Sequence, residues 1–220
     1  MLIPPRIKVC CISSMEEARL AVQLGAHALG LVSHMPSGPG VIDDALIANI
    51  LATVPPPIAT FLLTPLVRAD DIAALHARCP ASTLQLVDAV DEAELRRLRR
   101  LLPGIKLVQV IHVLGPQSLD EARAVAPHVD AVLLDSGNPN LPIKELGGTG
   151  RVHDWQTSRQ IREQLNVPVF LAGGLNAGNA AQAMRDVQPF GLDVCSGVRQ
   201  DGRLSAERLA QFMRAASGPH

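Results

Sequence analysis

VPVFLAGGLNAGNAAQAMRDVQPFGLDVCSGV, residues 167–198, holds one whole unit of the architecture this chain repeats. The short apolar run at 167–171 reads as a buried strand, and the glycine-rich LAGGLNAGN that follows it reads as a loop. NAGNAAQAMRDV then carries apolar residues at helical spacing, and a second apolar run occupies 191–194.

The same alternation extends back to the N-terminus. Further apolar runs lie at 7–12, 28–32, 58–63, 83–86, 105–111 and 131–134. Amphipathic stretches such as SMEEARLAVQLG, ADDIAALHARC and DEAELRRLRRLL separate them, and SAERLAQFMRAA closes the chain. Ser13 followed by Glu16 reads as a helix N-cap with its acidic partner, and Gly25 as a left-handed helix stop. Eight strand–helix units at near-regular spacing point to an α/β fold of the (β/α)8 barrel type, because a doubly wound open sheet more often has five or six strands. At 220 residues without a linker or low-complexity segment, the expectation is one barrel domain over residues 1–220.

Composition narrows the function classes. Apolar residues make up 47% but aromatics only 2%, with no tyrosine, so the core is aliphatic. A net charge of -1 without a basic run argues against a nucleic-acid partner. No apolar stretch approaches a membrane span, and MLIPPRIKV lacks the features of a signal peptide. Cys10, Cys11, Cys79 and Cys195 show no CxxC or Cys/His spacing, which predicts free thiols, no metal site and a cytoplasmic setting.

In such barrels the chemistry sits at the C-terminal ends of the strands. The residues there are Cys10 and Cys11, His34, Thr64, Gln85, His112, Asp135, Gly173–Gly174, and 193–197. Adjacent strand residues face opposite ways. Lys8, Cys10 and Ile12 therefore share one face, and Ile7, Val9 and Cys11 the other. The all-apolar company of Cys11 suits the layer beneath the helices, which leaves Cys10 pointing into the mouth. Ala131, Leu133 and Asp135 share a face in the same way. A thiol and a carboxyl across a barrel mouth can serve as base and acid. The structural readings stay open beside this one: a strand-end cysteine is commonly a small buried hydrophobe, and an aspartate opening a loop is commonly a turn residue. The loops LAGGLNAGN and DVCSGVRQDG follow strands seven and eight, where barrels often cup a phosphate on backbone N–H groups. The candidate substrate- and phosphate-binding residues are Gly173, Gly174, Asp193, Ser196 and Gly197, with Gln85 on strand four.

KVCCI, GAHALGLV, LQL, LLDS, GGTGRVHDW, LAGGLNAGN and DVCSGV, in that order, resemble the phosphoribosylanthranilate isomerase family nearly end to end. The resemblance implies a tryptophan-pathway Amadori rearrangement of an N-(5-phosphoribosyl) amine, without metal or organic cofactor. It implies Cys10 as the base, needed as a thiolate, and Asp135 as the acid, needed with its proton. It also implies a phosphorylated small-molecule substrate and a monomer or homodimer. Cys11 stands where that family usually has glycine. Gly40, within SHMPSGPGVI, stands where it usually has the arginine that holds the anthranilate carboxylate, and Val87 and Asp88 replace its His-Gly. Arg68 and His34 are candidates for a replacement cation. Two other readings remain: a related phosphosugar isomerase with an uncharged aglycone, and a phosphate-binding barrel without catalysis.

Overall fold

The structure, a computed structural model, describes residues 5–218, so residues 1–4 and 219–220 of the expected domain lie outside the described residues. Eight parallel strands close into a barrel in sequence order. They are β1 (Arg6–Val9), β2 (Ala28–Val32), β3 (Ala59–Thr64), β4 (Thr83–Leu86), β5 (Lys106–His112), β6 (Ala131–Asp135), β7 (Val169–Leu171) and β8 (Gly191–Val194). The helices that follow them are α1 (Met15–Gln23), α2 (Asp44–Leu51), α3 (Ala69–Arg78), α4 (Glu92–Leu101), α5 (Ser118–Val125), α6 (Trp155–Gln164), α7 (Ala180–Val187) and α8 (Ala206–Ser217).

Local chemistry sets the helix starts. Asp43, Asp154 and Ser205 accept hydrogen bonds from first-turn N–H groups of α2, α6 and α8. At α1 the cap is Ser14, whose Oγ accepts from the Glu17 N–H at 3.2 Å, one residue beyond the Ser13–Glu16 pair expected from sequence. Ser13 instead donates its N–H to the Glu17 carboxylate at 3.0 Å. Gly25 stops α1 with φ +94°, as expected.

The two-residue period of the strands divides the core into two layers. Phe61 and Leu63, Val108 and Val110, and Ala131 and Leu133 fill the barrel interior. Leu62, Leu107, Ile111, Val132 and Leu134 pack outward against the helices. Asp135, two residues beyond Leu133, therefore belongs to the inner face of β6, as its parity predicts.

On strand one parity holds only as far as Cys10. The strand ends at Val9, earlier than the expected 7–12, although the Cys10 N–H still reaches the Val194 carbonyl at 2.8 Å. Cys11 then turns left-handed at φ +60°. That single residue resets the alternation: Cys11 packs with Cys10 in the inner cluster, while Ile12 joins the outer one. The expectation that Cys11 lies beneath the helix layer is thus overturned, because a period of two survives only while every residue stays extended. After β8, a two-stranded antiparallel ribbon, β9 (Arg199–Gln200) and β10 (Arg203–Leu204), was not anticipated. Its Asp201-Gly202 turn has positive φ at both residues, the pairing that two-residue hairpins favour.

The seam between the first and last strands carries a buried ion pair. β1 and β8 align with Lys8 beside Asp193, and Lys8 Nζ meets Asp193 Oδ2 at 2.7 Å. Lys8 is fully buried, and its Nζ also stands 5.3 Å from the centroid of the Phe61 ring. Burial works against the ammonium charge, but Asp193 and Cys10 outweigh it and hold the lysine above its ordinary value. Removing one member of such a pair strands the other. Lys8→Met is therefore expected to lower unfolding stability by about 3–5 kcal/mol, and Lys8→Met combined with Asp193→Leu by distinctly less. Urea denaturation of the two variants checks this; equal losses would show that the unpaired carboxylate is not the cause.

Candidate active site

A cavity opens at the C-terminal end of the barrel. Cys10 just after β1, Gln85 from β4, Asp135 from β6, Gly173 and Gly174 after β7, and Asp193 and Ser196 at and after β8 all line it. The fold thus brings together every expected site residue except Gly197. A Cβ at Gly197 would stand 2.0 Å from the Leu175 carbonyl oxygen, so this glycine serves the close approach of the loops after β7 and β8 and does not face the cavity.

The expected acid and base are held differently. Asp135 is buried, and its Oδ1 accepts the Ser136 N–H at 2.7 Å. The GGTG segment 147–150 of the loop after β6 also lines the cavity, and Ser136 and Thr149 bond through their hydroxyls at 2.6 Å. Cys10 is fixed from behind. Arg199 donates to the carbonyls of Cys10 and Cys11 and pairs with Glu17, its Nη1 to Oε1 at 2.9 Å. Glu17 accepts in turn from the N–H groups of Ser13 and Leu204, so this carboxylate ties the turn after β1 to the ribbon after β8. Burial raises the Glu17 carboxyl, and the bonds from Arg199 and the two backbone groups outweigh it, leaving the carboxyl below its usual range. Sequence reasoning missed this pair. Its only signal was an acid in the first turn of α1 and a basic residue after strand eight.

Among the described residues, no protein acceptor takes the N–H groups of Gly173, Gly174 or Ser196. Three unengaged donors at one rim of the mouth suit an oxyanion. Asp193 faces the same cavity but is committed to Lys8, and Gln85 Oε1 is buried without a partner. His153, behind Gly173, is pushed below its ordinary value by burial, against the pull of Asp135 and Asp154.

The expected replacement cations are not at the mouth. Arg68 pairs with Glu94 at 2.7 Å outside it, and His34 is exposed and does not line it. Among the lining residues there is no lysine, arginine or histidine. His112 is structural, its Nε2 donating to the Val87 carbonyl at 2.9 Å. Gly40 has φ +81°, and a Cβ there would stand 2.4 Å from Cys11 Cβ and 2.9 Å from Cys11 Cα, so a side chain at 40 would meet both the side chain and the backbone of residue 11. The loop carrying Gly40 meets the loop after β6 through Ser37 Oγ, which donates to the Lys144 carbonyl at 2.6 Å. No group of three histidine, cysteine, aspartate or glutamate side chains is placed to hold a metal ion among the described residues.

A sequence profile of the N-(5'phosphoribosyl)anthranilate (PRA) isomerase family matches residues 7–215. The N-(5'-phosphoribosyl)anthranilate isomerase 2 of Methanosarcina mazei is 36% identical, with 96% of this chain and 93% of that protein covered. The N-(5'-phosphoribosyl)anthranilate isomerase of Halorubrum lacusprofundi is 34% identical, with 96% of each covered. Among solved structures, phosphoribosyl anthranilate isomerase from Thermotoga maritima superposes with a TM-score of 0.83 at 24% identity, covering 96% of this chain and 98% of that one. Thiamine phosphate pyrophosphorylase from Pyrococcus furiosus also superposes, with a TM-score of 0.65 at 17% identity over 96% of this chain and 95% of that one, so the barrel alone does not define the chemistry.

The left-handed backbone at Cys11 has a measurable signature. A non-glycine residue there costs about 1–2 kcal/mol, whereas glycine in an ordinary strand loses about 0.5–1 kcal/mol to alanine. Cys11→Gly is expected to be more stable than Cys11→Ala by about 1 kcal/mol in urea unfolding. The opposite order would mean residue 11 is extended after all.

Proposed function

The chain belongs to the N-(5'-phosphoribosyl)anthranilate isomerase family, and on that premise we propose that it isomerises N-(5'-phosphoribosyl)anthranilate in tryptophan biosynthesis. The observation that carries the reading is the convergence of Cys10, Asp135 and three unengaged N–H groups on one cavity. Asp135 donates its proton to the ribose ring oxygen, and the C1–O bond opens to a Schiff base. Cys10, as thiolate, takes the proton from C2, and the resulting enolamine becomes the ketone. The proton leaves C2, no electrons leave the substrate, and the rearrangement balances without a redox partner. Lys8 places its ammonium beside Cys10. The N–H groups of Gly173, Gly174 and Ser196 take the phosphate, and Gln85 offers its free Oε1 to a sugar hydroxyl.

Localisation and oligomeric state belong to the same reading. Four free cysteines fit a reducing cytoplasm, and no helix among the described residues is long and apolar enough to cross a membrane. The enzyme works as a monomer or homodimer, with every side chain of the proposed mechanism drawn from one chain.

A second reading, an isomerase for an N-ribosyl phosphate with an uncharged aglycone, is favoured by the absence of a cationic side chain from the lining. A carboxylate entering a partly enclosed pocket without a cationic side chain gives up hydration that only hydroxyl, amide and backbone donors restore. One experiment separates the readings. With phosphoribosylanthranilate, the reduced protein should show falling anthranilate fluorescence, and Cys10→Ala and Asp135→Asn should each lose about 10²–10⁴-fold in rate. Loss in Cys10→Ala removes the non-catalytic reading, whereas no turnover by folded wild type defeats the isomerase assignment. The analogue lacking the carboxylate, phosphoribosylaniline, should be used with a kcat/KM within about tenfold of the anthranilate compound, because a charge-assisted contact worth about 1.5–3 kcal/mol is missing. A larger preference for the carboxylate would sink the second reading.

A further inference from the structure

The mouth holds a feature that the isomerase mechanism leaves unused. Cys11 ends the turn after β1, Cys195 follows β8, and their Sγ atoms stand 2.7 Å apart. Their backbones are carried by neighbouring strands, joined at this level by the Cys10 N–H to Val194 carbonyl bond of 2.8 Å. Both thiols are free and both line the cavity, so a small reagent reaches them through the mouth. Cys79 makes no part of that lining and lies behind it, its Sγ 3.6 Å from the Asp44 carbonyl.

We propose that Cys11 and Cys195 are an oxidisable thiol pair, which a peroxide closes into a disulfide at the rim of the active site. The Sγ separation needs to fall only from 2.7 Å to about 2.05 Å. Cys195 is the attacking thiol: its hydrogen bond with Cys11 and the Arg199 guanidinium pull it down, against burial. Cys11 is pushed up by its hydrogen bonds to Cys10 and Cys195 and by burial, so it waits as the resolving thiol. The Cys195 thiolate attacks one peroxide oxygen, the O–O bond breaks, and water leaves with a sulfenic acid on Cys195. Cys11 sulfur then attacks the Cys195 sulfur, the S–O bond breaks, and a second water departs with the thiol proton. Two thiols and one hydrogen peroxide thus become one disulfide and two waters.

The consequence for the rate rests on the isomerase reading. Cys11 directly follows Cys10, and Cys195 directly precedes Ser196. Drawing the two sulfurs together shifts the base and one phosphate donor at once, and a misplacement of about 1 Å in such geometry can cost about 10²-fold. The closed form is expected to turn over at least about tenfold more slowly than the reduced form.

The test treats the full-length protein with hydrogen peroxide, blocks remaining thiols, digests it with trypsin without reduction and weighs the peptides. A linked pair of peptides 9–19 and 186–199 is expected, together with a fall in rate, both reversed by dithiothreitol. Peptide 9–19 contains both Cys10 and Cys11, so two variants assign the bond. Cys10→Ala should keep the link, and Cys11→Gly should lose it along with the dithiothreitol-reversible part of the inactivation. Absence of the link in wild type, or its persistence in Cys11→Gly, overturns the pair, and a linked protein with an unchanged rate overturns the inactivation. An inactive reduced protein would count against the isomerase assignment alone, since the link is read by mass.

Discussion

A parallel barrel closes only if its last strand meets its first, and here that meeting contains a lysine with no access to water. Lys8 and Asp193 are register partners across β1 and β8, joined at 2.7 Å inside the barrel. A wrong register or an open seam would leave two buried charges unpaired, a penalty of several kcal/mol for each ion. The pair therefore favours one closure over its neighbours. It also sets the ammonium beside Cys10 and brings the loop after β8, with Ser196, next to the strand that leads into Cys10.

Above the seam, the mouth is organised by backbone more than by charged side chains. Glu17 and Arg199 hold the turn after β1 through its carbonyls, and the loops after β2 and β6 meet through Ser37 and the Lys144 carbonyl. The lining itself has no cationic side chain, so anionic parts of a ligand meet N–H groups and hydroxyls. Residue 11 and Gly40 approach closely in this setting. The Cα and side chain of Cys11 occupy the space a side chain at 40 would need, and the φ of +81° there is one that glycine adopts freely.

Much of this was legible in the residues. Eight apolar runs with intervening amphipathic stretches indicated the barrel, since burial on both faces of a parallel sheet demands continuous apolar strands. The inner faces of β1 and β6 followed from parity, so Cys10 and Asp135 were found at the mouth where alternation placed them. The ribbon after β8 was legible too, for Asp201-Gly202 is a hairpin turn signal that went unused.

What the sequence determined by itself was periodic: which residues are buried and which face they share, because these follow from repeats of 2 and 3.6 residues along a local backbone. What only the tertiary structure decided was non-periodic. The left-handed turn at Cys11 broke the alternation by one residue and moved a thiol from the helix layer to the mouth. Gly197 turned from ligand candidate to packing glycine because of a carbonyl 22 residues earlier in the chain, at Leu175. Arg68 was removed from the site by Glu94, and Cys11 was brought to Cys195 across a gap of 184 residues. Each outcome depends on a contact between segments that no local pattern relates, and such contacts exist only once the barrel has closed.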